Sequence, residues 1–235
     1  VECARVALQS GAHGLCVALV QEGIELRQAG INAPILIMSE QPEEQFRDII
    51  QYGLIAALYN ESTIVRFART ASELEIMAPV HVKVDSGMHR VGVQPDNAVR
   101  VASLVAESQW LTLDGMFTHL ATADVADTQF AQQQVSTFMR AVEQVRALEI
   151  EVRHVHISNS DSAIRRLDTG VGCTMTRVGI AMYGIPGDAA TNSFGAAHQL
   201  DLRPVMSVHA RISHVQRVAA GQGVSYGLKR PLESD

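Results

Sequence analysis

Short apolar runs alternate with amphipathic helical stretches along most of the chain, and this alternation limits the fold more than any other feature. The runs are Gly14–Val20, Pro34–Met38, Ile55–Tyr59, Val80–Asp85, Leu113–Thr118, His154–Ser158 and Thr174–Val178. Val, Ile, Leu, Met and Ala dominate most of them, as in strands covered on both faces. Between them, Glu22–Ala29, Pro42–Tyr52, Ser62–Leu74, Pro95–Glu107 and Asp127–Leu148 read as amphipathic helices. Pro42 and Pro95 occupy first-turn positions, and Gly30 and Gly53 fall at helix ends. Strand–helix alternation predicts parallel β/α units and an α/β fold. Seven strands are one short of a closed barrel, and an open set of seven leaves two unpaired edges. The chain also starts inside an amphipathic stretch, with apolar residues at positions 3, 4, 7 and 8. The expectation is a (β/α)8 TIM barrel lacking its first strand, in a sequence cut at both ends. The rival is an open doubly wound sheet. Its G-x-G-x-x-G fingerprint is missing: the nearest match, Gly170-Val171-Gly172, has Met175 in place of the third glycine and no strand before it.

From about Leu202 the pattern changes. Met206–Ile212 alternates with period two, and a Gly-rich turn follows at Ala220–Gly227. That is the pattern of half-buried antiparallel β structure. Residues 1–201 are therefore expected to form the barrel domain, and 202–235 the start of an all-β C-terminal domain.

Hydrophobic residues make up 47% of the 235, enough for a sizeable core. The formal charge of −6 disfavours a nucleic-acid partner, which needs a basic face. No apolar run approaches the roughly 18 residues of a membrane span. Cys3, Cys16 and Cys173 form no C-x-x-C pair, so neither a disulfide framework nor a metal site is expected, and a reducing cytoplasmic compartment fits. Lys83 and Lys229 are the only lysines, so any chemistry needing a reactive amine has two candidates.

Barrel enzymes carry their sites at the C-terminal ends of the strands. Four successive runs end in polar residues: Lys83-Val84-Asp85-Ser86-Gly87-Met88-His89-Arg90, then Thr118-His119, then His156-Ile157-Ser158-Asn159-Ser160, then Thr176-Arg177-Val178-Gly179-Ile180. Alone, His119 reads as a core or rim histidine and Arg177 as an ion-pair partner. Together they predict one site on one face of the barrel. The last two loops are where barrels commonly bind phosphate, and Ser160 at the start of a helical stretch, with Gly179 nearby, suits an anion. Taken alone, the same pair reads as a helix cap and a turn glycine.

The segments VKVDSGMHRVG, FTHLATAD, HISNSDSA, RVGIAMYG and GVSYG, with APILIMS before them, together resemble the alanine racemases, pyridoxal-phosphate enzymes of fold type III. The resemblance implies a homodimer that interconverts L- and D-alanine and supplies D-alanine for the cell wall. It implies that Ser160 and the backbone of Gly179 and Ile180 hold the cofactor phosphate. It places Arg177 at the pyridine nitrogen, His119 against the ring, and His156 and Asn159 in the polar shell, His156 orienting Arg177. It sets Arg90 near the phenolate oxygen and the substrate, and makes Lys83 a candidate for carbamylation. An arginine, which does not give up its proton, would keep the ring nitrogen unprotonated and disfavour transamination.

The family's Schiff-base lysine, in a V-K-x-x-A-Y-G-H-G context, has no counterpart among these residues. Nor has its catalytic tyrosine, in a G-Y-A-D-G context: Tyr226 belongs to GVSYG, and Lys229 has no motif around it. A chain without both bases is expected to be inactive alone. The alternatives are a racemase of broader specificity, or a pyridoxal-phosphate carrier or decarboxylase on the same barrel. The β texture after Leu202 argues against a carrier. Arg177, where decarboxylases place a carboxylate, argues against a decarboxylase.

Overall fold

The computed structural model describes residues 1–198 and 200–234. Six strands form one parallel sheet in sequence order: β1 Leu15–Val17, β2 Ile35–Ile37, β3 Ile55–Leu58, β4 Ala78–Lys83, β5 Leu111–Phe117 and β6 His154–His156. Helix α1 Glu2–Gln9 precedes them and helices lie between them: α2 Val20–Gln28, α3 Phe46–Gln51, α4 Glu61–Leu74, α5 Ala98–Ala106 and α6 Gln129–Arg146, then α7 Ser160–Ile164 and α8 Ala189–Ala197 after β6. The sheet curls into a half-barrel. Each apolar run of the sequence up to residue 158 overlaps one strand, β4 and β5 each beginning two residues before the expected run. Pro42 and Pro95 each lead into a single tighter turn, Glu43–Gln45 and Pro95–Asn97, before the α-helix begins.

The main core lies between the sheet and its helices. Val80 and Val82 of β4, Phe67 of α4, Val101 and Val105 of α5, and Phe138 of α6 are all buried there. On the concave side a smaller cluster forms from Leu36, Ala57 and Phe117. That face carries the chemistry. Register pairs Ala57 with His81 and Lys83 with Phe117, and Phe117 with His156, so Lys83, Phe117 and His156 lie in one row across three strands. Side chains two apart in a strand share a face, so β4 presents His81, Lys83 and then Asp85 from one side. All three are buried.

Two expectations need correction. Thr174–Val178 runs beside β6 but is not a strand. Its Thr174 and Arg177 amides donate to the carbonyls of Val155 and Ser158 at 2.8 and 2.9 Å. The Val155 amide, however, is taken at 3.0 Å by the Thr174 hydroxyl and not by a carbonyl. A side chain has replaced the ladder partner, and the ladder stops. The second correction concerns the C-terminal residues. The chain divides into two compact units, Val1–Arg203 and Pro204–Asp235. Among the described residues of the second, Met206–Ile212 form no strand, and Val208 and Ile212 are 89% and 84% exposed. Pairing there is limited to one antiparallel bridge, Gly223 with Pro231. Period-two alternation marks a face that needs an apolar partner, and within this unit none covers it.

Candidate functional site

The polar residues singled out in the sequence lie at or beyond the carboxyl ends of β4, β5 and β6. After β4 the chain folds back on itself: the Asp85 amide donates to the Val93 carbonyl at 2.8 Å, and the Val93 amide to the Lys83 carbonyl at 2.9 Å. Within the loop so formed, one Asp85 carboxylate oxygen accepts the amides of Gly87 and His89, each at 3.0 Å. Arg90 stands exposed on this loop. It and Lys83 help line a narrow cleft with Met88, Thr118 and His119.

Arg177 lies at the centre, 8% exposed. One terminal nitrogen meets His156 Nδ1 at 2.8 Å. The other donates to the Thr118 carbonyl at 2.8 Å and the Ile157 carbonyl at 3.2 Å, and meets His119 Nδ1 at 3.3 Å. Its Cζ stands 5.3 Å from the centroid of the Phe117 ring, which stacks on His156 at 4.8 Å. Burial lowers the pKa of Arg177 to about 10, so it remains a cation at neutral pH. None of its hydrogen bonds among the described residues goes to a carboxylate. Its Nε is buried with no partner. A buried cation without an anion, with one donor free, is costly unless a ligand completes it.

His119 is held neutral. Burial first, then the charges of Arg177, Arg90 and Lys83, lowers its pKa to about 4. A guanidinium only donates, so His119 Nδ1 accepts and its proton sits on Nε2. Lys83, 4% exposed, lies 5.4 Å from the Phe117 centroid. Burial, followed by Arg90 and Arg177, lowers its pKa to about 8, against the opposing pull of Asp85. The expected result of titrating the reductively 13C-methylated protein by NMR is one dimethyl-lysine resonance with a midpoint near pH 8. A Lys83 midpoint above 10 would place it in water.

Around α7 the site takes a different form. The Ser160 hydroxyl accepts the amides of Gly179 and Ala181 at 3.0 and 3.2 Å. Ile180, whose backbone the resemblance places on the phosphate together with that of Gly179, lies between these two residues and is 48% exposed. A Cβ at Gly179 would meet no protein atom within 4 Å, so open space stands over this backbone. Asn159 lies apart from Arg177 in its bonding. Its side-chain oxygen caps α7, accepting the Ser162 amide and hydroxyl at 3.0 Å each. The structure thus gathers Lys83, His119, His156 and Arg177 around Phe117, and Ser160 with Gly179 beside them. Among the described residues no group of three His, Cys, Asp or Glu side chains could hold a metal.

Sequence reasoning passed over Phe117 and gave Thr118 no role of its own. Phe117 reads as one more core residue, and no motif marks it. Thr118 contributes a backbone carbonyl, which any residue would supply, although its hydroxyl also meets that of Ser86 at 2.8 Å.

A curled parallel sheet clad in helices, with polar groups gathered at the carboxyl ends of β4, β5 and β6, defines a β/α-barrel protein with its site at the carboxyl ends of the strands. Residues 1–186 match the family model described as the alanine racemase N-terminal domain. An alanine racemase of Nostoc is 38% identical over 233 residues, which cover 97% of this chain and 58% of that protein. The solved alanine racemase of Clostridium difficile is 33% identical with a TM-score of 0.84, covering 100% of this chain and 60% of that one. The solved alanine racemase of a D-cycloserine-producing Streptomyces lavendulae gives 28% and 0.87, covering 100% and 61%. The chain belongs to the alanine racemase family. It spans about three fifths of the length of these relatives.

Proposed function

We propose that these residues are the cofactor-binding part of an enzyme that interconverts L- and D-alanine with pyridoxal 5′-phosphate, in the cytoplasm and as a homodimer, supplying D-alanine for peptidoglycan. The observation that carries the proposal is Arg177: a buried cation whose Nε lacks a partner and whose other donors are held by histidines and carbonyls. An unprotonated pyridine nitrogen is an acceptor with no proton of its own, which fits that free donor. An anion fits the open backbone at Gly179, within reach of the amides that Ser160 now holds.

Pyridoxal phosphate, when bound, supplies an electron sink for the substrate's α-carbon. Arg177 limits how strong that sink becomes, because it offers the ring nitrogen a hydrogen bond but no proton to keep. His156 orients Arg177. His119, neutral, presents a flat ring face. Ser160 and the backbone of Gly179 and Ile180 hold the phosphate. Arg90 stands on the mouth of the cleft, where a substrate carboxylate would meet it. Asn159 supports this shell indirectly by fixing α7.

Lys83 is the residue we propose for carbamylation. A neutral lysine amine attacks CO2, forming a C–N bond, and releases one proton as the carbamate anion forms. The lowered pKa supplies neutral amine, and Arg90 and Arg177 would favour the anion formed. That role excludes Lys83 as the cofactor's anchoring lysine. Lys229 and Tyr226 belong to the second unit, and Tyr226 is 99% exposed. We give neither a catalytic role, and take residues 202–235 as the start of a C-terminal β domain.

Racemisation needs a base on each face of the α-carbon. The 235 residues with added pyridoxal phosphate are expected to bind it saturably but to show no turnover in a coupled D-alanine assay. The same chain expressed with its flanking coding sequence is expected to racemise alanine. Turnover by the 235 residues alone would overturn the roles of Lys83 and Tyr226. Failure of the longer protein to act on alanine, or a faster reaction with another amino acid, would overturn the substrate.

A further inference from the structure

Behind Arg177 a chain of buried polar groups runs back through the half-barrel. His156 Nδ1 meets Arg177 at 2.8 Å. His156 Nε2 meets His81 Nδ1 at 2.9 Å. His81 Nε2 meets Asp114 Oδ2 at 3.3 Å. His81 and His156 are 2% and 0% exposed. We infer that His81 and Asp114 are positioning residues, which fix the tautomer of His156 and so the direction of the hydrogen bond between His156 and Arg177.

The two ends determine the protons between them. A guanidinium can only donate and a carboxylate can only accept. His156 Nδ1 must therefore be the acceptor, so the proton of the neutral ring sits on Nε2. That proton is donated to His81 Nδ1, which leaves the His81 proton on Nε2, facing Asp114. Among neutral tautomers one arrangement satisfies all three contacts. Burial keeps both rings neutral: it holds His156 well below the usual imidazole range, with Arg177 adding to the effect, and lowers His81 despite the pull of Asp114. The other groups facing this chain are Arg153, 3.4 Å from Asp114 Oδ1, and His154, 3.9 Å from Oδ2. Phe117 covers the second ring face.

The backbone is shaped to allow these contacts. Register on β4 shifts between Val80 and His81, so that Val80 pairs with Leu113 and His81 with Gly115. Asp114 is the extra residue of this bulge, paired with neither neighbour, and bulges re-aim side chains. Beside it, a Cβ on Gly115 would lie 2.9 Å from His81 Cε1 and 2.8 Å from the His154 carbonyl. Only glycine lets the His81 ring cross this position and reach His156 two strands away. A surface ion pair of Asp114 with Arg153 would require neither feature.

The inference rests on the reading of Arg177 as the partner of the cofactor's ring nitrogen, and two separate readouts test the two ideas. In the native protein without cofactor, 15N NMR of the histidines is expected to show His81 and His156 each as a single neutral tautomer protonated on Nε2. A proton on Nδ1 of either ring, or an imidazolium at neutral pH, would overturn the inference. Asp114→Leu removes the acceptor. The expected result is a tautomer mixture at His81 and about a tenfold loss of affinity for pyridoxal phosphate, with Asp114→Glu restoring much of both. Unchanged tautomers and affinity in Asp114→Leu would overturn it as well. Should that variant not fold, the native tautomers decide. Failure of the native protein to bind pyridoxal phosphate would instead count against the cofactor and leave the tautomer result standing.

Discussion

Arg177→Glu is expected to lower the stability of the protein by about 3–5 kcal/mol, the range for breaking a buried charged contact. The side chain now serves four acceptors: His156 Nδ1, His119 Nδ1 and the carbonyls of Thr118 and Ile157. A carboxylate can donate to none of them. It would bring a second sign of charge into a site already shaped around acceptors, and each acceptor left without a partner adds its own desolvation cost. The measurement is denaturant unfolding of the variant against the parent. In protein that remains folded, a carboxylate at 177 would favour a protonated ring nitrogen by an ionic hydrogen bond. In the complete enzyme, alanine should then yield more pyruvate relative to racemised product, read by a coupled pyruvate assay. A variant that folds, binds pyridoxal phosphate and forms no added pyruvate would show that residue 177 does not face the ring nitrogen.

What the sequence made legible follows from where the information lies. Apolar runs and helical periodicity are local, so each of the six strands overlaps an expected run, and α4 ends at Leu74 as expected. Thr174–Val178 misled because its composition is that of a strand, while its pairing is decided by one hydroxyl that caps Val155. Met206–Ile212 misled because alternation states what a segment needs, without stating that the need is met. At the site, His119 and Ser160 announce themselves because they follow strands, and Arg177 because it is a charged residue within an expected strand. His81 and Asp114 lie inside strands. His81 could have been noticed: with Lys83 and Asp85 it makes three polar residues at spacing two in an otherwise apolar run. Asp114 could not, since it reaches His81 only through a shift in register, which is a property of the strand pair and not of either sequence.

Gly92→Ala is expected to cost about 3–5 kcal/mol, although residue 92 touches none of the groups around Arg177. Gly92 has φ +134°, a conformation that side chains rarely adopt, and holding alanine there costs on the order of 1–3 kcal/mol. A Cβ would also stand 2.7 Å from the Asp85 amide nitrogen and 3.0 Å from the Val84 carbonyl carbon. These are backbone atoms that cannot rotate aside. They are also held in place, since the Asp85 amide donates to the Val93 carbonyl at 2.8 Å. Forcing the contact adds roughly 1–3 kcal/mol, as in other overpacked sites. Gly30→Ala provides the comparison. Gly30 has φ +81° and nothing within 4 Å of its Cβ position, so only the conformational cost applies, about 1 kcal/mol. Denaturant unfolding of the two variants should separate them by at least about 2 kcal/mol. The consequence for the site follows from the loop that Gly92 closes. That loop starts at Asp85, carries Arg90, and returns to the carbonyl of Lys83 through the Val93 amide. Opened by a methyl group, it would let water reach Lys83, and the Lys83 midpoint near 8 should rise toward that of a solvated amine. If Gly92→Ala destabilises no more than Gly30→Ala, the close approach of residue 92 to Asp85 does not limit the fold. If it destabilises as expected but leaves the Lys83 midpoint unmoved, the loop does not shield the lysine.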